Sequence, residues 1–316
     1  MDIHVSGYLS LYITLIWVII HRGASGTTFT LVNKCDYTVW PGILANAGSS
    51  TLESTGFELQ SGGSRSFQAP PNWSGRFWGR TGCNFDQNTG QGSCATGDCG
   101  SNQIECNGAG ASPPASLAEF AIGSGTTQDF YDVSLVDGYN IAMLVDTNGG
   151  SGSCSSTGCL SDLNQLCPNE LRVGGRAACK SACEAFRSPE YCCSGAYDSP
   201  ARCKPSVYSQ IFKSACPKSY SYAYDDATST FTCTAADYTI TFCPSTTSQK
   251  SARDSPPAAT GSETATSTTG EVPTVTVDSP WFPDLFSGHT CKCKSPSCTY
   301  SLIATLTVIF FLCKHY

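Results

Sequence analysis

The run Gly90-Gln91-Gly92-Ser93-Cys94-Ala95-Thr96-Gly97-Asp98-Cys99, followed by Cys106, sets two cysteines on either side of a tight Thr-Gly-Asp turn. Cysteines crowd the rest of the chain as well. Of the 20 in 316 residues, sixteen lie between Cys35 and Cys243 and four lie from Cys291 onward. Ahead of them, Leu9 to Ile20 is an almost unbroken apolar run, followed by His21-Arg22-Gly23 and the small residues Ala24-Ser25-Gly26. That length suits the core of an export signal better than a membrane span, and the small residues suit a signal peptidase. No Lys or Arg precedes the run, so an uncleaved signal anchor is the alternative. Residues 1–26 are read as a signal peptide. An even, dense cysteine set behind such a signal means disulfides formed in an oxidising compartment. Zinc would need thiolate or imidazole ligands at finger-like spacing, and the signal and the histidines both argue against it.

The four histidines are His4, His21, His289 and His315, so none lies between Thr27 and Pro244. A core spanning those residues has no Ser-His-Asp triad, no Cys-His pair and no histidine-ligated metal. With all sixteen cysteines paired it has no thiolate nucleophile either. Its chemistry falls to carboxylates, with Arg, Lys or Tyr in support, and no metal or other cofactor is expected. The same span carries 12 Lys and Arg against 19 Asp and Glu, a net of −7. Such a surface repels phosphate backbones, which sets nucleic acid aside and leaves neutral polymers such as polysaccharides open.

From Thr27 the chain alternates as a strand does, with Phe29, Leu31 and Asn33 on one side and Thr28, Thr30 and Val32 on the other. Tyr37 to Trp40 adds aromatic and β-branched residues before an expected turn at Pro41-Gly42. Similar runs recur at Ser64–Ala69, Gly75–Trp78, Leu117–Ile122, Phe130–Val136, Asn140–Val145, Tyr220–Tyr224 and Tyr238–Phe242. Many short strands separated by turn residues predict an all-β sandwich. Cys154 to Cys216 differs. It holds nine cysteines, reads as helical over Gly174–Phe186, and is too polar to build a core of its own. Adjacent Cys192 and Cys193 have Cα atoms roughly 3.8 Å apart, too close for a normal bridge, so each bonds elsewhere.

Beyond Pro244 the composition changes. Of the 37 residues from Pro244 to Pro280, 21 are Ser, Thr or Pro, which predicts a disordered, O-glycosylated stalk over 245–287. The chain ends on an apolar run, Leu302–Cys313, then Lys314-His315-Tyr316. As a helix that run extends roughly 18 Å, short of a hydrocarbon layer of about 30 Å. A polar spacer before a short apolar tail is the pattern of a glycolipid (GPI) anchor signal, here 288–316, with Ser287-Gly288 as the attachment region. A retained tail with acylated cysteines is the alternative.

Several blocks now resemble one family, the thaumatin-like proteins, also called the fifth group of pathogenesis-related proteins. They are the Gly90–Cys99 run with Cys106, Phe77-Trp78-Gly79-Arg80-Thr81-Gly82-Cys83, and Pro113-Pro114 with Leu117-Ala118-Glu119-Phe120. Tyr191-Cys192-Cys193, Tyr220-Ser221-Tyr222 and Phe242-Cys243-Pro244 complete the match. Asn102 stands where the family signature has Gly, and Asn tolerates the left-handed region better than most residues. The resemblance implies a monomeric domain over 27–244: a β-sandwich in 27–80, 115–153 and 217–244, a small disulfide hairpin region at 81–114, and a partly helical cysteine-rich lobe at 154–216. It also implies eight disulfides: Cys35–Cys243, Cys83–Cys94, Cys99–Cys106, Cys154–Cys233, Cys159–Cys216, Cys167–Cys179, Cys183–Cys192 and Cys193–Cys203.

Between sandwich and lobe, similar proteins carry a cleft whose residues here are Arg76, Glu119, Asp132, Asp137 and Asp225. Sweet-tasting members have Lys where Asp137 stands, so this chain resembles the acidic-cleft, antifungal kind. Three uses compete. Carboxylates bond sugar hydroxyls and aromatic faces pack on glucose rings, with Phe130, Tyr131, Tyr139, Tyr220, Tyr222 and Tyr224 beside the charges. That reading gives binding of β-1,3-glucan in fungal walls. Alternatively, Arg76 simply neutralises Glu119 or Asp132 in a buried network, with the tyrosines as strand packing. The third use is weak endo-β-1,3-glucanase activity, with Glu119 as acid and Asp132 or Asp137 as base. A non-catalytic wall or signalling partner is a further alternative. The chain is placed outside the cell, in the wall or apoplast or on the outer face of the plasma membrane through the anchor. Asn72-Trp73-Ser74 fits an N-glycosylation acceptor, with an unmodified loop as the alternative. Lys204, Lys213 and Lys218 read as scattered, solvated charges, and Arg172 and Arg176 as groups that cap or solvate a helix.

Overall fold

The computed structural model describes residues 26–245. The expected signal, stalk and anchor segments, apart from Gly26 and Ser245, lie outside the described residues, as do the four cysteines from Cys291 onward.

Strands dominate. They are β1 (Thr27–Asn33), β2 (Trp40–Ala45), β3 (Ser64–Ala69), β4 (Ser74–Arg80), β5 (Asn84–Phe85), β6 (Gly92–Ser93), β7 (Leu117–Ala121), β8 (Asp129–Ser134), β9 (Met143–Ser151), β10 (Thr157–Cys159), β11 (Arg172–Val173), β12 (Ala178–Cys179) and β13 (Phe231–Phe242). Nine of them form one curled sheet, and the pairs β5–β6 and β11–β12 are small separate ribbons. The all-β reading holds, with the two layers joined through a shared strand. One layer runs β3-β1-β13-β9-β10 and the other β2-β4-β7-β8-β13. Phe231–Cys233 of β13 pair with β8, whereas Thr234–Phe242 pair with β9, and Tyr238–Phe242 also run parallel to β1. The switch falls between Cys233 and Thr234, and just beyond it Ala235, at φ 55°, is left out of the β9 register opposite Gly150. A side chain on Gly150 would fall 2.6 Å from Cys233 Sγ, so the corner needs glycine there.

Period-two alternation fills the space between the layers. Phe29, Phe77, Phe120, Tyr131 and Tyr238 are all buried there, with Phe29 4.7 Å from Phe120 and Tyr131 5.1 Å from Tyr238 between ring centroids. Each such side chain contributes roughly 1.5–3 kcal/mol through burial. The Tyr238 hydroxyl donates to Asp129 Oδ2 at 2.8 Å, so the buried polar tip is satisfied.

Five short helices follow the sheet's first strands: α1 (Leu163–Leu166), α2 (Ala182–Phe186), α3 (Pro189–Cys192), α4 (Val207–Ala215) and α5 (Asp226–Ser229). Ser181 and Ser206 cap α2 and α4 by accepting the amides of Glu184 and Ser209. Five disulfides bind this region: Cys154–Cys233, Cys159–Cys216, Cys167–Cys179, Cys183–Cys192 and Cys193–Cys203. Cys83–Cys94 and Cys99–Cys106 hold the hairpin region, and Cys35–Cys243 ties the end of β1 to the end of β13. That last bridge closes 208 residues, worth about 5 kcal/mol on the chain-entropy model.

Local expectations fail in five places. Pro41-Gly42 is no turn but part of β2, paired with Gly79 and Trp78. Proline is tolerated because β2 is the outermost strand of its layer. The strand expected at Asn140–Val145 begins at Met143 and runs on to Ser151. Tyr220–Tyr224 makes a single bridge, Tyr220 to Ser134, and then turns. Gly174–Phe186 is helical only over α2, because Gly174 and Gly175 at φ 57° and 75° turn β11 back onto β12. Arg172 and Arg176 therefore serve a hairpin, donating to the Cys167 carbonyl and Gln165 Oε1. Asn102 does take the left-handed conformation, at φ 57°.

Gly42 gives one testable consequence. A Cβ there would fall 2.3 Å from Cε2 and Cζ2 of Trp78, a fully buried ring fixed by its indole bond to the Gly97 carbonyl. Gly42→Ala is expected to cost about 3 kcal/mol through overpacking, lowering the melting temperature by roughly 6–12 °C. Calorimetry on the variant checks this, and an unchanged transition would contradict the close packing.

Candidate functional site

Strand register builds the site. Arg76 on β4 lies opposite Glu119 on β7, which lies opposite Asp132 on β8. Adjacent residues on each strand point the other way, so Phe77, Ala118, Phe120, Tyr131 and Val133 enter the core while the charged row faces the lobe. Cross-strand neighbours of this kind have Cβ atoms about 4.5–5.5 Å apart. Arg76 Nε lies 3.6 Å from Glu119 Oε1.

The two acids are deep, with Glu119 4% and Asp132 7% exposed. Burial pushes the Glu119 carboxyl up to about 7; Arg76 opposes the shift and Asp137 adds to it. Asp132 is raised well above the carboxylate range by burial and then by Glu119, with Arg76 opposing and Asp226 adding. Asp137, in the turn after β8, is also raised by burial, against the pull of Arg76, with Glu184 of α2 adding. One guanidinium thus faces three carboxyls, and all three are drawn toward their protonated forms. Asp132 Oδ1 is buried without a hydrogen-bond partner. Beside the row, a small cavity of about 40 Å³ opens between Val136, the Ser221–Ala223 segment and the lobe helices.

Four of the five expected residues, Arg76, Glu119, Asp132 and Asp137, come together. Asp225 does something else. It accepts Ser221 N and Oγ and ion-pairs with Lys213 Nζ at 3.0 Å, and none of these bonds reaches the row. Lys213 is accordingly no solvated surface charge, since it also donates to the Ser219 carbonyl and Ser229 Oγ. Its neighbour Asp226 is the acid whose charge reaches Asp132, and it accepts the Tyr220 hydroxyl at 2.9 Å. No motif in the sequence separates Asp226 from Asp225. The expected aromatic lining is likewise rearranged. Tyr131 and Tyr139 are buried, their hydroxyls donating to the carbonyls of Ser155 and Ser161, and only Phe130 of that group is well exposed. Among the described residues no three His, Cys, Asp or Glu side chains are gathered as a metal site.

Fold and row together define a disulfide-stapled β protein with a buried acid row answered by one arginine. Comparison with known proteins gives the family. A family model described as Thaumatin family matches residues 33–244. Thaumatin-like protein 1 of Arabidopsis thaliana is 70% identical over 249 residues, covering 77% of this chain and 96% of its own length. Pathogenesis-related thaumatin-like protein 3.5 of Cryptomeria japonica is 61% identical over 225 residues, covering 70% of this chain and 92% of itself. The solved structure of the thaumatin-like xylanase inhibitor TLXI is 23% identical with a TM-score of 0.39, over 68% of this chain and 99% of that one. The chain belongs to the thaumatin family.

Proposed function

We propose that this chain is an exported pathogenesis-related defence protein with antifungal action, which binds β-1,3-glucan over the Arg76–Glu119–Asp132–Asp137 row. The observation that carries the reading is Asp132 Oδ1, buried, without a partner, and set among acids drawn toward protonation. A protonated carboxyl both donates and accepts, which matches the paired donor and acceptor of each sugar hydroxyl. Residues 1–26 act as the export signal, 245–287 as a stalk and 288–316 as the anchor signal, placing the domain at the outer cell surface. Asn72, exposed in a turn before Trp73, takes the glycan.

Asp132→Leu, which removes both donor and acceptor where Asn would keep them, is expected to weaken laminarin binding by roughly tenfold or more, about 1.4 kcal/mol. Titration calorimetry at pH 5 measures it. Unchanged affinity would remove the row as the glucan site.

Glu119, with its carboxyl near 7, favours a second use as the general acid of a slow glucanase. Hydrolysis also needs an ionised carboxylate opposite the acid. The base would be Asp132 or Asp137, the other two acids of the row. In the same preparation Glu119→Gln separates the two uses, because reducing-sugar release stops while binding is largely kept.

A further inference from the structure

A second groove shares no residue with the acid row. It encloses about 540 Å³ and is walled by Tyr37, Trp40, Thr81, Asn164, Arg176 and Ala177, which come from the entry to β2, the hairpin region and the lobe. Small-ligand sites occupy roughly 300–1,000 Å³, so the groove has the size of one. Its aromatic wall is accessible: Tyr37 is 46% exposed and Trp40 is half-buried, with Phe85 6.3 Å behind it. Asn164, 9% exposed, also lines the groove. Its Nδ2 donates to the carbonyls of Asn140 and Ala177, but its Oδ1 is buried with no hydrogen-bond partner. An acceptor left so costs about 1–3 kcal/mol, and a ligand hydroxyl would satisfy it. Exposed Arg176 uses Nη1 on Gln165 Oε1. Asp36 and Asp162, whose fields reach Tyr37, bring negative charge to the same groove.

We propose that this groove is a second binding site, for a neutral oligosaccharide, in which Tyr37 and Trp40 face a sugar ring and Asn164 Oδ1 accepts a hydroxyl. Aromatic faces and a neutral amide acceptor, with charge of both signs nearby, are the chemistry that suits a sugar. The site does not depend on the acid row binding glucan.

Among the described residues Trp73 and Trp78 are buried, so Trp40 is the indole placed to report. The experiment follows the Trp40 indole resonance of the secreted protein, assigned with Trp40→Phe, during titration with laminarihexaose, cellohexaose, xylohexaose and N-acetylchitohexaose. At least one is expected to move it saturably, with roughly tenfold weaker binding in Tyr37→Ala and the same saturable shift in Asp132→Leu. The proposal fails if none of the four moves the signal up to about 10 mM, a binding free energy weaker than about −2.7 kcal/mol. It also fails if Tyr37→Ala binds as wild type, or if the shift disappears in Asp132→Leu, which would assign the sugar to the acid row alone.

Discussion

Arg80→Met should lower the melting temperature by roughly 8–16 °C, the consequence of losing about 4 kcal/mol in a domain of this size. Arg80 is wholly buried, and burial pulls its guanidinium down to about 10 against the pull of Asp98 and Glu105. The group spans two parts of the chain. Nε donates to the Trp40 carbonyl at 2.9 Å, and Nη2 donates to the carbonyls of Pro41 and Ile104 at 3.2 and 2.6 Å. Nη1 reaches the Gln103 carbonyl at 3.5 Å. Outer strand β2 and the 99–106 disulfide loop are therefore held to the same fork. Methionine fills the volume but orphans the carbonyls, which is the costly way to remove a buried hydrogen-bonding group. Arg80→Lys keeps the charge but not the planar fork, and should recover less than half of the loss. Limited proteolysis should show the hairpin region cut first. A thermal transition in Arg80→Met equal to wild type would refute the assignment.

The second large effect is on pH. A carboxyl whose folded value lies above its unfolded value stabilises the fold fully below the unfolded value and loses that contribution as pH rises through the folded one. Glu119 moves from an ordinary 4.5 to about 7, so about 3 kcal/mol of its contribution is lost between pH 4.5 and 7. Asp132 and Asp137 are raised as well and add with the same sign. At the acid end Glu105 acts in the opposite direction. Burial opposes the shift, but bonds from Thr55, Ser54 and Gly56 hold its carboxyl below the usual range, so its contribution is lost as pH falls through that lowered value. Stability should peak in mildly acid solution and fall by roughly 6–12 °C in melting temperature toward pH 8. Glu119→Gln should flatten the slope across this window. Stability that holds level or climbs from pH 5 to pH 8 would contradict buried, protonation-seeking acids.

Much of this was legible in the sequence, and the failures share a physical pattern. Alternation in Thr27–Asn33 and Ser64–Ala69 named the strands because a half-buried strand must alternate. Arg76, Glu119 and Asp132 could be gathered only through resemblance, since their meeting depends on the register of three separate strands. The rings were misplaced by counting sequence neighbours as spatial ones. Tyr131 precedes Asp132 by one residue and so faces the opposite side of β8. Tyr220–Tyr224 has period two, but Asp225 bonds back to Ser221 and a local polar contact turns the chain. Asp225 and Asp226 are the same residue type side by side, and only their partners, Lys213 for one and Tyr220 for the other, give them separate roles.

Shared strand β13 also has a mechanical meaning. Tension applied beyond residue 245 enters a strand lying between β1 and β9, and two residues upstream it meets the Cys35–Cys243 bond. The load passes across a covalent clamp into the first strand before it reaches any ladder of hydrogen bonds. The bonds of Phe231–Cys233 to β8 are thereby relieved while the clamp is intact, and the pull falls on β1 and its pairs with β3 and with Tyr238–Phe242.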